Sequence, residues 1–215
     1  MSTNPSTERC TITGVILAGG LGRRMGAAAG GLDKGLLPFG GRPMVAQVID
    51  RLAPQVGSLA INANRHHDRW HAFGLPVFAD EIEGFAGPLA GLHAALGRVD
   101  TAWVATAPCD APFLPLDLVA RLARAASAQG ARIAIARTAD RQHPVFALVD
   151  RSLREDLQRY LESGQRRVQA WMAGHGAAEV AFDDEAAFRN LNTTEDLAYW
   201  APAGVPADPP AREHP

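Results

Sequence analysis

Short apolar runs alternate along this chain with segments whose apolar residues recur at helical spacing. The runs are continuous, which is typical of parallel strands that are covered on both faces. Strands are predicted over residues 12–18, 57–64, 75–80, 101–108, 132–138, 144–150 and 178–183. The alternation predicts an α/β fold, in which a single domain has a mostly parallel, doubly wound sheet with helices on both faces. The pair within 132–149 is expected to add an antiparallel edge.

Helical patterns lie between these strands. One begins near Pro43, because the missing N–H of proline costs nothing at a helix start. Further helices are predicted from residue 87 onward, over 114–130, around 153–161, and within 192–200, where Asn192 and Glu195 suit a capping box. The turn of the antiparallel pair is placed at residues 140–143.

The length and composition fit one globular domain. The chain has 215 residues, of which 47% are hydrophobic and 20% charged, so that a full core can form without disulfide or metal cross-links. Residues 11–200 are predicted to form this domain. The polar segment 1–10 and the tail 201–215, which carries five prolines, are predicted to be disordered.

The net charge and the length of the apolar stretches restrict the binding partners and the cellular compartment of the protein. A net charge of −2 supplies no wide positive field for nucleic acid or a membrane surface. No apolar run approaches the roughly 18 residues of a membrane span, and the N-terminus lacks the apolar segment of a signal peptide. Cys10 and Cys109 lack zinc-type spacing and are expected to be reduced thiols. We therefore expect a cytoplasmic protein.

Glycines and polar residues follow the predicted strands at the points where the strands end. Parallel sheets bind ligands at the carboxyl ends of their strands, near the point where the strand order reverses. We therefore expect one crevice to collect Gly19, Gly20, Asn62, Asp80 and Asp110.

The glycine-rich stretch after the first strand fits a polyphosphate. Gly19 and Gly20 let backbone N–H groups approach a phosphate without an intervening Cβ. Arg23, Arg24 and Lys34 can neutralise its negative charge. Each feature also has an ordinary explanation, since glycine pairs make tight turns and arginines are commonly solvated.

Carboxylate and amide groups complete the predicted nucleotide site. Asp110 ends an apolar stretch, where a carboxylate is costly unless it holds a hard cation such as Mg²⁺. Asn62 and Asp80 offer hydrogen-bonding groups to a base or ribose. All three also suit ordinary turns or caps, but their occurrence at successive strand ends favours a shared site.

Two stretches resemble the signature of nucleotidyltransferases with a Rossmann-like fold, namely LAGGLGRRMG (17–26) and DKGLLPFGGRPM (33–44). The sequence has neither a P-loop nor a GxGxxG motif. More narrowly, the chain resembles the molybdenum cofactor guanylyltransferases from about residue 11 to 200. The collinear stretches that carry this resemblance are TITGVILAGG, INANRH, GPLAGL, PCDAPFLP, HPVFALV, GQRRV and NLNTTEDL.

The resemblance implies an activity. GMP would pass from GTP to the terminal phosphate of Mo-molybdopterin, which gives the molybdopterin guanine dinucleotide cofactor and pyrophosphate. The product would then go to acceptor molybdenum enzymes or chaperones. Catalysis would rest on Arg23, Lys34 and Asp110, with Mg²⁺ on Asp110. The residues implied to bind GTP are Leu17, Ala18, Gly19, Lys34, Asn62, Asp80 and Asp110, to which the residue chemistry adds Gly20.

Asn190 and Asn192 are candidates for binding the second substrate, because their amides can bond to a pterin or a phosphate. Asn192 suits a helix cap equally well. The chain also departs from the family, in which DK follows RMG after one or two residues, whereas AAAGGL (27–32) intervenes here. We expect this insertion to be mobile until nucleotide binds.

Two alternatives to the guanylyltransferase stay open. The first is a CTP-dependent enzyme acting on the same cofactor, or a sugar-phosphate nucleotidyltransferase, because base choice depends on pocket geometry. The second is a GTP-binding protein that delivers the cofactor without catalysis. The carboxylate of Asp110 favours an enzyme over this second alternative.

Overall fold

The computed structural model describes residues 11–19, 32–82, 87–139 and 141–200. The predictions for segments 1–10 and 201–215 and for most of the 27–32 insertion lie outside these residues. The strands that it contains are β1 (Ile12–Leu17), β2 (Pro38–Phe39), β3 (Arg42–Pro43), β4 (Ser58–Asn62), β5 (Val77–Phe78), β6 (Trp103–Pro108), β7 (Ile133–Thr138), β8 (Arg141–Asp150) and β9 (Ala178–Ala181).

Seven of the described strands form one sheet in the order β5-β4-β1-β6-β8-β7-β9. The central strand β1 is parallel to β4 on one side and to β6 on the other. β5 is parallel to β4, and β9 to β7. β8 runs antiparallel to both β6 and β7. The predicted mostly parallel sheet is therefore confirmed.

The antiparallel strand does not lie at the sheet edge, where we expected it. β8 is flanked by β6 and β7, and the edge position is taken by β9. Local apolar patterns indicate strands but not their order, because the order depends on where the connecting helices return the chain. β9 comes back to pair with β7 through Ala134 and Ala178.

The turn predicted at residues 140–143 is also corrected. β8 already begins at Arg141, which pairs with Thr138. The pairing then shifts, because Ile135 lies opposite Ala147 whereas Ala136 lies opposite His143. The intervening residues of β8 form a bulge, and Pro144 has no N–H to donate to the ladder.

Seven α-helices lie in the described residues: α1 (Met44–Leu52), α2 (His67–His71), α3 (Pro88–Arg98), α4 (Leu118–Gln129), α5 (Arg154–Glu162), α6 (Val168–Gly174) and α7 (Thr194–Trp200). The short helices α2 and α6 were not predicted, because they hold too few turns to show a periodic pattern. No described helix is long and apolar enough to cross a membrane.

The capping box of α7 lies one residue further along than predicted. Thr193 Oγ1 accepts from the backbone N–H of Asp196 at 3.0 Å, and Asp196 Oδ2 accepts from the N–H of Thr193 at 3.0 Å. Asn192 and Glu195 therefore do not form the box. The side chain of Asn192 is left available for a tertiary contact.

Two apolar clusters cover the two faces of the sheet. One contains Leu52 of α1, Trp70 of α2 and Leu122 of α4, all fully buried. The other contains Leu96 of α3 and Leu157 of α5. Helices on both faces are thus confirmed, and each face holds apolar side chains from several helices against the strands.

Candidate active site

A cavity of about 210 Å³ opens at the carboxyl ends of β1, β4 and β6, where the strand order reverses about β1. The strand ends are held together by backbone bonds, since Ala18 N donates to Asn62 O at 2.8 Å and Cys109 N to Leu17 O at 3.1 Å. The cavity is lined by Leu17, Ala18, Gly19, Lys34, Asn62, Gly87, Pro88, Pro108, Cys109, Asp110, Val145 and Asn190.

The expected convergence is confirmed for three of the residues that follow the strands. Gly19, Asn62 and Asp110 all line this cavity. Asp80 lies behind Asn62 and does not line it. The predictions for Gly20, Arg23 and Arg24 fall outside the described residues.

Lys34 reaches across the cavity to two elements far along the chain. Its Nζ lies 3.6 Å from Asp110 Oδ2 and donates to Asn192 Oδ1. Asp110 is 9% exposed. Burial raises the pKa of Asp110, and the nearby Lys34 ammonium opposes that shift. Burial thus disfavours the charged form of this carboxylate, and a neighbouring cation favours it.

The adjacent thiol is not a nucleophile. Cys109 is free and buried. Burial raises the pKa of Cys109, and the neighbouring Asp110 charge raises it further. The thiol therefore stays protonated and unreactive at neutral pH.

Asparagine and aspartate side chains form a bonded group at the other end of the cavity. Asn62, 1% exposed, donates through Nδ2 to Asp80 Oδ1 at 3.0 Å. Asn64 donates through Nδ2 to Asp80 Oδ2 at 2.8 Å and accepts from Asp80 N at 2.8 Å. Asp80 therefore fixes the orientation of both amides.

The N-terminus of α3 closes the same end of the cavity. Gly87 precedes the helix with φ 150°, a backbone conformation that favours glycine. A Cβ at Gly91 would overlap Asn62 Oδ1 and lie 3.0 Å from Leu17 Cδ2. Glycine at 91 thus lets α3 pack directly on Asn62, and Gly87 and Pro88 at its start line the cavity.

A second cavity of about 310 Å³ adjoins the first. The two share Pro108, Val145 and Asn190. The bulge of β8 separates them, and Thr106 Oγ1 fixes it by donating to Val145 O at 2.7 Å. The second cavity is further lined by Arg141, Gln142, His143, Pro144, Phe146, Glu185, Phe188, Arg189 and Asn192.

His143 is the buried histidine of this second cavity. Its Nε2 lies 2.7 Å from Thr138 Oγ1, and its ring stacks on Phe188 with centroids 4.7 Å apart. Burial lowers the pKa of His143, and the charge of Arg141 lowers it further. The nearby Glu185 carboxylate opposes this shift of the His143 pKa.

Several residues that line the cavities or support them from behind were missed from the sequence. Asn64 was interpreted as a turn residue, although it lies in the same INANRH stretch as Asn62. Pro88 and Val145 are apolar and gave no chemical signal. Asp33, which precedes Lys34, is buried with 3% exposure, and its partners come from a distant part of the chain.

Comparisons with known proteins show the family of this chain. A family model described as the MobA-like NTP transferase domain matches residues 14–179. A molybdenum cofactor guanylyltransferase from Cupriavidus necator is 52% identical over 194 residues, which covers 88% of this chain and 96% of the relative.

Solved structures share the fold. Molybdopterin-guanine dinucleotide biosynthesis protein A from Archaeoglobus fulgidus matches with a TM-score of 0.70 and 22% identity, over 87% of this chain and 95% of that one. A Mycobacterium tuberculosis protein solved as a complex with manganese matches with a TM-score of 0.63 and 20% identity, over 88% and 97% of the two chains.

Proposed function

The chain belongs to the MobA-like NTP transferase family, and we propose that it acts as a molybdenum cofactor guanylyltransferase. It transfers GMP from GTP to the terminal phosphate of Mo-molybdopterin. A phosphate oxygen of Mo-molybdopterin forms a bond to the α-phosphorus of GTP, and the bond from that phosphorus to the bridging oxygen breaks. Pyrophosphate leaves with the electron pair of the broken bond.

The absence of a general base in this scheme follows from the nucleophile. The attacking phosphate is already an anion at neutral pH, so no proton has to be removed from it. Catalysis then depends on holding two negative reactants in line and on stabilising charge as pyrophosphate departs. The position of the Lys34 ammonium, in the cavity beside Asp110, supports this role.

The first cavity is assigned to GTP. The backbone of Leu17, Ala18, Gly19 and Gly20 would follow the phosphates, with Arg23 and Lys34 supplying positive charge. Asn62 lines the opposite end, and Asp80 lies behind it, bonded to the amides of Asn62 and Asn64. A Cβ on the cavity residue Gly19 would lie 3.8 Å from Asp80 Oδ2, and from this position the remaining lone pairs of Asp80, supported by Asn62, would accept from the N1–H and 2-amino groups of guanine. Cytosine cannot offer that pair of donors.

Asp110 fits a site for Mg²⁺. Its carboxylate oxygens are hard ligands, they line the cavity, and their burial makes a neighbouring cation favourable. Across the described residues, no group of three or more His, Cys, Asp or Glu is arranged to hold a metal ion. The remaining ligands would therefore come from the nucleotide phosphates and water. When bound, the cation would neutralise charge on the transferring phosphate.

The second cavity is assigned to Mo-molybdopterin. It meets the first cavity at Asn190, so a ligand in it can present a phosphate to the α-phosphate of GTP. Arg141 and Arg189 provide positive charge, and the amides of Asn190 and Asn192 provide hydrogen bonds. We place the protein in the cytoplasm, where acceptor molybdenum enzymes or chaperones would take up the product.

The observation that carries the proposal is the pairing of Lys34 and Asp110 in the first cavity, together with the bond from Lys34 to Asn192, which lines the adjoining second cavity. Pyrophosphate release with GTP and Mg²⁺ tests it. Release that requires Mo-molybdopterin supports a transferase. Binding of both ligands without any release would indicate a delivery protein instead.

A further inference from the structure

Asp33 is a buried carboxylate that the reaction scheme above does not use. It is 3% exposed and immediately precedes Lys34. Arg65 Nη2 donates to its Oδ1 at 2.6 Å, and Trp70 Nε1 donates to its Oδ2 at 3.2 Å. His66 Nδ1 lies 3.1 Å from the same Oδ2. A buried carboxylate is costly unless paired, so these contacts hold Asp33 in place.

These contacts join the base of the lysine to the loop that follows β4. Arg65 and His66 come directly after the stretch that carries Asn62 and Asn64, and Trp70 is fully buried in the core. The backbone carbonyl of Asp33 accepts from Leu36 N at 2.9 Å, which begins the 3₁₀ turn Lys34–Leu36. The carboxylate therefore fixes the backbone from which the Lys34 side chain extends.

Close packing of the next residue restricts this turn further. A Cβ at Gly35 would lie 2.8 Å from Cys109 Cβ and 2.9 Å from Trp70 Cη2. The turn is thus held between Trp70 and the end of β6, where Asp110 follows. A movement of the Asp33 carboxylate would therefore move Lys34 relative to Asp110.

We propose that Asp33, held by Arg65, His66 and Trp70, is a positioning residue that sets the place of Lys34 in the active site. The inference rests on the proposed role of Lys34 in nucleotidyl transfer. A displacement of about 1 Å at a reacting centre can cost about 100-fold in rate. Holding Lys34 in place should therefore have a measurable effect on kcat.

A double-mutant cycle on the full-length protein tests this role through kcat for pyrophosphate release. The substitutions are Asp33→Asn and Arg65→Met, each alone and combined with Lys34→Ala. The Arg65 side chain is half exposed, so we expect its replacement to leave the core intact and to provide the test if Asp33→Asn does not fold. Arg69→Met is the control, because Arg69 is exposed in the same segment and is not one of the groups bonded to Asp33.

We expect Asp33→Asn and Arg65→Met each to lower kcat about tenfold or more, with Arg69→Met within about twofold of the parent. Adding either change to Lys34→Ala should lower kcat by no more than about twofold further, since both act through the missing lysine. Arg65→Lys should recover much of the kcat lost in Arg65→Met, because it keeps a charged donor.

If the fold-losses of kcat in the single variants multiply in the double variants, Asp33 acts independently of Lys34. Its role would then be purely structural, and the proposal would be overturned. Parental kcat in Asp33→Asn and Arg65→Met, beside an impaired Lys34→Ala, would overturn it as well. Parental kcat in Lys34→Ala alone would instead contradict the role of Lys34 in the proposed function.

Discussion

Lys34 and Asp110 face each other across the first cavity, with Nζ 3.6 Å from Oδ2. Lys34 follows the glycine-rich stretch in sequence, whereas Asp110 follows β6, so the contact joins two separate parts of the sheet edge. Both side chains are largely buried, with 22% and 12% exposed. A pair so shielded from water interacts more strongly than a surface ion pair.

Asp110→Asn should lower turnover by about 100-fold or more while leaving the fold intact. The amide has the size of the carboxylate but lacks the charge that would hold Mg²⁺ and face Lys34. The checks are kcat at saturating Mg²⁺ and the circular dichroism spectrum. Asp100→Asn, an exposed carboxylate at the opposite end of β6, is the matched control. Turnover within a few-fold of the parent would exclude Asp110 as the metal ligand.

Gly19→Val should weaken GTP binding about tenfold or more. A Cβ at this position would lie 3.1 Å from Asn64 Nδ2 and 3.4 Å from Asn62 Oδ1, and the valine methyl groups would enter the space assigned to the nucleotide. Calorimetric titration measures the affinity. Gly174→Val serves as control, because a Cβ there meets nothing within 4 Å. An unchanged affinity would make the glycine an ordinary turn residue.

Asp80→Ala should weaken the binding of GTP more than it weakens the binding of ITP. If Asp80 accepts from two donors of guanine, ITP, which lacks the 2-amino group, has already lost one of these bonds. We expect at least about a tenfold larger rise in Kd for GTP, with Asp68→Ala neutral for both. Equal rises would show that Asp80 acts only by orienting Asn62 and Asn64.

The strands that build this site could be predicted from the sequence, and the contacts behind it could not. β1, β4 and β6 are continuous apolar runs followed by polar residues, which is a local signal. The bond between Arg65 and Asp33, in contrast, joins two distant segments, and no motif or periodicity in the sequence relates the two residues. The capping box of α7 shows the same limit. The motif fits two pairs in the sequence, Asn192–Glu195 and Thr193–Asp196. In the folded chain the second pair forms the box, and the side chain of Asn192 accepts from Lys34.

Acid should destabilise the protein in part through His93. This residue of α3 is 2% exposed. Burial lowers the pKa of His93, Arg154 lowers it further, and Glu81 and Glu162 oppose the shift. The folded pKa therefore lies below the unfolded value of about 6.5, and the unfolded chain binds the proton more readily. Stability should fall as the pH drops below about 6.5, by at most about 1.4 kcal/mol per pH unit from this group.

Urea unfolding at pH 7.5 and 5.5 measures this contribution. His93→Leu should lose less free energy of unfolding than the parent between the two pH values, whereas His71→Leu, at an exposed position, should lose as much as the parent. The pKa of His143 is also lowered by burial, so part of the dependence of the free energy of unfolding on pH should remain in both variants. A slope in His93→Leu as steep as the parental one would contradict the assignment.

The central claim is the transfer of GMP to Mo-molybdopterin, and the identity of the dinucleotide formed tests it most directly. The protein is incubated with Mo-molybdopterin, Mg²⁺ and each nucleoside triphosphate in turn, and the products are identified by mass spectrometry. The account predicts molybdopterin guanine dinucleotide and an equal amount of pyrophosphate from GTP, with little product from CTP. A cytosine dinucleotide formed in preference, or no dinucleotide from any nucleotide, would contradict it.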